Sequence, residues 1–180
     1  MEYFEKTVDR KQIYQGNIIK VESVGVQLPN GKITTRDVVL HPGAAVVVPV
    51  SDGGEIYLVR QFRKPIDKVS LELPAGKLDE GEDPEICALR ELKEETGLTA
   101  ARIQHLIDIH STPGFSNEVL HMFLATGLKE GDSCADDDEF ITPEKYHISD
   151  LVKMIVNREI TDAKTIIGIL LAEKLIKGEI

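Results

Sequence analysis

Cysteine is scarce. The 180 residues hold two, Cys87 and Cys134. Neither stands in a metal-type spacing, and no disulfide framework is expected. Reduced thiols in a cytoplasmic protein are the expectation instead. Long apolar runs are missing too. No stretch approaches the ~18–20 residues of a membrane span, so no membrane partner is expected. The opening stretch, MEYFEKTVDRKQ, has no apolar segment followed by a small-residue cleavage site and does not read as a signal peptide. No internal repeat or low-complexity tract is visible. Positive charge is the minority: 21 Lys and Arg stand against 31 Asp and Glu, a net charge of −10. Such a chain is a poor nucleic-acid binder, because neutralising phosphates needs Lys and Arg. If it handles phosphates, metal cations have to bridge two sets of negative charge.

The composition is that of a soluble globular protein, and the length suits one domain with a small appendage. The first half reads as strands. Residues 17–28 are rich in β-branched side chains, PNGK at 29–32 is a hairpin turn, and ITTRDVVLH at 33–41 is the returning strand. The continuous apolar run AAVVVPV at 44–50 predicts a strand buried on both faces. Further strands are expected at EIYLVRQFR, at VSLELPAGK (69–77), at 101–110 and at 118–127. Asp83-Pro84 marks a helix start and Gly97 its stop. On a helical wheel Ile86, Leu89 and Leu92 fall on one side, with Glu91, Glu94 and Glu95 opposite. From about Ser149 the chain reads as helical. Strands with one central helix and terminal helices indicate an α+β sandwich. The break at His41-Pro42-Gly43 sets residues 1–40 apart as a β-rich arm, with the main domain at 41–180.

The helix raises a physical question. Glutamates three and four apart repel, by roughly 0.2–0.5 kcal/mol per pair, so bound cations are expected to offset that cost. Glu91 and Glu95 lie one turn apart and point the same way, and hard oxygen ligands suit Mg²⁺ or Mn²⁺. Arg90 can pair with Glu94 and hold it in place. Glu82, just before the helix, can add a ligand through water. Gly76, five residues, Glu82, seven residues, then Arg90-Glu91-Leu92-Lys93-Glu94-Glu95-Thr96-Gly97-Leu98 resembles the Nudix hydrolase signature, GX5EX7REUXEEXGU, at every specified position. The resemblance implies an αβα sandwich and cleavage of nucleoside diphosphates linked to another moiety, with Mg²⁺ or Mn²⁺. It also makes the Ala75 carbonyl a metal ligand.

Pro113, 16 residues after Gly97, together with LPNGKITTRDVVLHPGAAVVVPV, LVRQFR, LELPAGKLDEGE and ITDAKTI, resembles the ADP-ribose pyrophosphatase subfamily over nearly the whole chain. That resemblance implies hydrolysis of ADP-ribose to AMP and ribose 5-phosphate. It implies that Arg63 contacts the substrate, that Gly114 and Glu118 lie near the terminal ribose, and that Arg36 and Asp37 sit on an arm reaching the partner's site in a homodimer. The resemblance also implies a general base on a loop after the signature, and in the acidic stretch GDSCADDDEF at 131–140 Asp136, Asp137, Asp138 and Glu139 all qualify. Asp138 and Glu139 are the favoured pair, with Asp138 also open as a metal ligand. The alternatives are another nucleotide sugar or dinucleotide as substrate, such as a GDP-sugar or NADH, or a catalytically silent ADP-ribose-binding domain.

Overall fold

A computed structural model of the protein describes residues 3–131 and 140–180. Asp136, Asp137, Asp138, Glu139 and Cys134, all singled out above, lie outside the described residues. The chain forms two compact units, Met1–Gly43 with Ile109–Val119, and Ala44–Asp108 with Leu120–Ile180.

The first unit is built on an antiparallel sheet, β1 (Lys6–Gln15), β2 (Lys20–Gln27) and β3 (Ile33–Leu40), in that order. The expected hairpin joins β2 to β3. Gly31 adopts φ 84°, and its N–H donates to the Leu28 carbonyl at 2.8 Å. Only the glycine of Asn30-Gly31 takes this left-handed backbone at no steric cost. The loop 111–118 is tied to the end of β3: the Val39 N–H donates to Phe115 O at 2.7 Å, and the His41 N–H donates to Asn117 Oδ1 at 2.8 Å.

In the second unit, β4 (Ala44–Pro49) is the central element. It pairs antiparallel with β7 (Ala75–Lys77) and parallel with β9 (Val119–Glu130), and β8 (Leu98–His110) completes a sheet ordered β7-β4-β9-β8. A second sheet runs β10-β5-β6, from β10 (Thr142–His147), β5 (Glu55–Arg63) and β6 (Lys68–Glu72). The single strand expected over 69–77 is therefore two strands in different sheets. Pro74 lacks the N–H a continuous ladder needs, and its carbonyl accepts instead from the Val47 N–H at 2.9 Å.

The apolar run of β4 is buried on both faces as its pattern predicts. Ala45 and Val47 join the cluster containing Cys87, Ala88 and Leu92 of helix α1 (Pro84–Thr96). Val48, on the other side by strand alternation, packs near Gly168 of helix α3 (Ala163–Ile176). Gly168 is obligatory there. A Cβ would meet Leu73 Cδ1 at 2.4 Å and Val48 Cγ2 at 3.0 Å. Helix α2 (Ile148–Val156) packs beside α3 and buries Leu151. Helices on both faces of a mixed sheet make the αβα sandwich expected from the sequence.

The helical wheel for α1 is corrected. Ile86 is 62% exposed and Leu89 38%, while Cys87, Ala88, Leu92 and Glu95 are buried. The helix lies on the small side chains Cys87 and Ala88. Its packed stripe follows positions 84, 87, 88, 91, 92 and 95, so Glu91 and Glu95 border the buried face rather than oppose it.

Candidate active site

Helix α1 is fixed at both ends. The Asp83 side chain accepts the Glu85 N–H at 2.9 Å, Pro84 occupies the first turn, and Gly97 at φ 73° donates its N–H to the Lys93 carbonyl at 2.9 Å. This gives the glutamates a rigid base. Arg90 gathers three of them. Its Nε and Nη2 donate to the two oxygens of Glu82 at 2.9 and 3.0 Å, and its Nη1 donates to Glu91 at 2.6 Å and Glu94 at 2.9 Å. The expected Arg90–Glu94 pair is present, and the same arginine also grips Glu82 and Glu91. The Asp79 N–H adds a bond to Glu82 at 3.0 Å. Arg90's hydrogen bonds, then Asp79's, hold the Glu82 carboxyl down at about 2. Burial, with the Glu82 charge beside it, pushes the Cys87 thiol up to about 12, so Cys87 is a packing residue and not a nucleophile.

Beneath the helix runs β7. The Ala75 N–H donates to Glu95 Oε2 at 3.0 Å, and Glu95 is only 5% exposed. A Cβ on residue 76 would stand 1.9 Å from Glu91 Oε1 and 2.0 Å from its Cδ, so the Glu91 carboxylate rests in space that only glycine leaves open. Ala75, Gly76, Glu82, Arg90, Glu91, Glu94 and Glu95 are thus brought together. The donors are all oxygens, crowded on a rigid helix against a backbone turn. That donor set fits a hard divalent cation.

A second cluster borders the helix. Arg63 forks onto Glu72, Nε at 3.0 Å and Nη2 at 2.8 Å, while Lys164 reaches Glu72 from the other side and Asp162 at 3.0 Å. Asp162 also caps α3 by accepting the Thr165 N–H at 3.0 Å and its hydroxyl at 2.6 Å, and the Thr165 hydroxyl oxygen accepts the Leu73 N–H at 2.8 Å. Burial would raise the carboxyl of Glu72, but Arg63 and Lys164 together override it and hold the group at about 2. Glu72 keeps the Arg63 guanidinium firmly charged against the cost of burial, and the negative charges of Glu95 and Asp162 add to the effect. Arg63, Glu72, Asp162 and Lys164 line one pocket of about 400 Å³.

Of this cluster the sequence points to Arg63 and not to Glu72 or Lys164. The available signal was a lone glutamate in the apolar segment VSLELP, which a buried strand tolerates only with a partner.

Among the described residues, the remaining expected ones lie in the first unit. Arg36, on β3, is held by both oxygens of Glu5, at 2.6 and 3.1 Å. Asp37 faces Ser23 across the β2–β3 ladder. Glu118 accepts from the Ser111 hydroxyl and lies 3.5 Å from His41 Nδ1. Gly114 sits on an exposed turn of the 111–118 loop, with nothing within 4 Å of where its Cβ would be.

Comparison with known proteins agrees with this geometry. The NUDIX domain profile matches residues 39–164. The chain is 45% identical over 163 residues to an ADP-ribose pyrophosphatase of Bacillus subtilis, covering 89% of this chain and 88% of that protein. It is 40% identical over 167 residues to a methanol dehydrogenase activator of Bacillus methanolicus, covering 92% and 90%. A crystal structure titled as an ADP compounds hydrolase superposes with a TM-score of 0.88 at 20% identity, covering 99% of this chain and 98% of that one. That likeness is one of fold. The matched domain contains every member of the acidic set on and before α1, and on that ground the chain belongs to the Nudix family.

Proposed function

We propose that the protein hydrolyses the diphosphate bond of ADP-ribose to AMP and ribose 5-phosphate, with Mg²⁺ or Mn²⁺ as the divalent cation. The observation that carries the reading is the α1 acid set over Gly76, in a chain 45% identical to an ADP-ribose pyrophosphatase. Glu91, Glu95 and the Ala75 carbonyl would hold the cation. Glu82, already engaged by Arg90, would reach it through water, and Asp138 is a further candidate ligand. A cation held there would supply the positive charge that offsets the diphosphate and would lower the pKa of an attacking water. Arg90 keeps Glu91 and Glu94 in place. Arg63, 40% exposed at its side chain, is the cation offered to the substrate. A carboxylate of the 136–139 segment, Glu139 or Asp138, takes the proton from water.

The same reading makes residues 1–40 a dimerisation arm. Its support is the sheet itself. Every residue of β1 is exposed, apolar Val8, Ile13 and Tyr14 included, and small isolated sheets are marginal in water unless they cover another surface. A homodimer of about 40 kDa, twice the chain mass of 20.0 kDa, would place Arg36 and Asp37 of one protomer at the site of its partner, with Gly114 and Glu118 near the terminal ribose. Among the described residues no helix is long and apolar enough to cross a membrane. A cytoplasmic location is part of the proposal.

The test is AMP release from ADP-ribose with Mg²⁺ and then Mn²⁺, run beside a GDP-sugar and NADH. Faster turnover of either competitor would replace the substrate. Tight ADP-ribose binding without AMP release would make the chain a silent binding domain. Light scattering of the full chain tests the dimer, and a monomer with full activity removes the arm from the site.

A further inference from the structure

We infer that His105, Asp108 and His121 form a second metal site, for a borderline transition-metal cation of the Zn²⁺ class, separate in residues and in chemistry from the acid set on α1. His105 and Asp108 lie on β8, and His121 on the neighbouring strand β9. His105 Nε2 stands 2.7 Å from Asp108 Oδ1, and His121 Nδ1 stands 2.8 Å from the same oxygen. One candidate ligand atom from each residue therefore lies within 4.8 Å of the others. In a regular strand residues three apart point to opposite faces. Here His105 and Asp108 meet on one side, which brings three donors together from only two strands.

The donor types decide the class of cation. Two imidazoles and one carboxylate suit Zn²⁺, Co²⁺ or Ni²⁺, whereas Mg²⁺ and Ca²⁺ prefer all-oxygen sites. A tetrahedral zinc ion with bonds of about 2.0–2.1 Å separates its ligands by roughly 3.4 Å. Each histidine–carboxylate distance has to lengthen by roughly 0.6–0.7 Å to admit it, and the exposed Asp108 side chain has room to move. The imidazoles are better anchored. The His105 ring meets the Phe123 ring edge-on, with centroids 5.4 Å apart, and Phe123 is itself buried in the α1 cluster. His121 stands opposite Ala45 of the buried strand β4. The two imidazoles also hold the Asp108 carboxyl below its ordinary value, so this ligand is already ionised. With three protein ligands, a fourth position is left for water.

The experiment uses the full protein in excess Mg²⁺, titrated with Zn²⁺ alone, while the imidazole resonances of its five histidines are followed by NMR. One equivalent of Zn²⁺ is expected to shift His105 and His121 and to leave His41, His110 and His147 in place. Calorimetry in the same buffer is expected to show His121→Gln binding that equivalent at least ~10-fold more weakly, with Mg²⁺-supported activity unchanged. Asp108→Asn is the second variant and is expected to weaken it similarly. Glu95→Gln is expected to keep both histidine shifts. No shift, equal shifts in all five histidines, unchanged affinity in both variants, or loss of the shifts in Glu95→Gln would each overturn the site.

Discussion

Two arginines of the second unit are each gripped by glutamate, and their charge balance differs. Around Glu72, two cations, Arg63 and Lys164, meet two anions, Glu72 and Asp162. Around Arg90, one guanidinium meets three carboxylates, Glu82, Glu91 and Glu94. The first set is balanced, centres on the buried Glu72 and joins β5, β6 and α3. A buried pair of this kind is costly to break, because the surviving charge is left desolvated. The second set gathers three carboxylates on one guanidinium, two of them on α1, so like charges remain crowded there. A balanced cluster supports the fold. An unbalanced one at a glycine turn is suited to a cation arriving from solution. Exposure alone does not make this contrast, since Glu72 and Glu95 are similarly buried, at 3% and 5%.

Five substitutions test that separation and the orientation of the helix that carries it. The largest effect is expected from Glu95→Gln, which keeps the shape of the side chain and removes one charge. Its kcat should fall by about 100-fold or more, about 3 kcal/mol in barrier, with the melting temperature nearly unchanged. Activity within threefold of the parent would take Glu95 out of the site.

Glu72→Gln should act chiefly on the fold and cost about 3 kcal/mol of stability, measured by urea unfolding near pH 7. The sign in pH follows from the depressed carboxyl. Its folded value of about 2 lies below the ordinary 4.5, so the folded state binds this proton less readily than the unfolded chain does. The ionic contribution is complete above pH 4.5 and fades as pH falls toward 2. The stability gap between parent and variant should therefore narrow across that window. A gap that stays constant would show that packing, not charge, sets the cost.

Gly76→Ala comes next. The added methyl takes the place of the Glu91 carboxylate, and the Mg²⁺ concentration needed for half-maximal rate should rise by roughly 10-fold. The smallest effect is expected at Ile86, which the structure leaves exposed. Ile86→Gln should change stability by less than about 0.5 kcal/mol, whereas Leu92→Ala should cost about 2–5 kcal/mol. A large loss at Ile86 would restore the helical face read from the wheel.

That face shows where sequence reading stops. β4, the Asn30-Gly31 hairpin and the capped ends of α1 were legible because each rests on local chemistry. The orientation of α1 was not, because the wheel weighted large aliphatics while the sheet accepted small ones, Cys87 and Ala88. β1 gave no signal, since a strand exposed along its whole length has no inside to alternate with. β10 was hidden for a related reason. Its TPEKYH segment is polar, and it is held to β5 by the long-range pairs Arg60–Glu144 and Lys145–Glu55. The acid set of the site was legible as fixed spacing. The Glu72–Lys164 pair was not, because its partners lie 92 residues apart and each looks ordinary alone.

That separation also bears on how the protein is made. During synthesis β5, β6 and α1 are complete while Asp162, Lys164 and Thr165 are still to come. Until they arrive, Glu72 has one of its two cations and the Leu73 N–H lacks its hydroxyl acceptor. A carboxylate buried with only part of its charge compensation is costly to desolvate, so the strands ending at Glu72 and Leu73 gain their full stability only when the first turn of α3 is present.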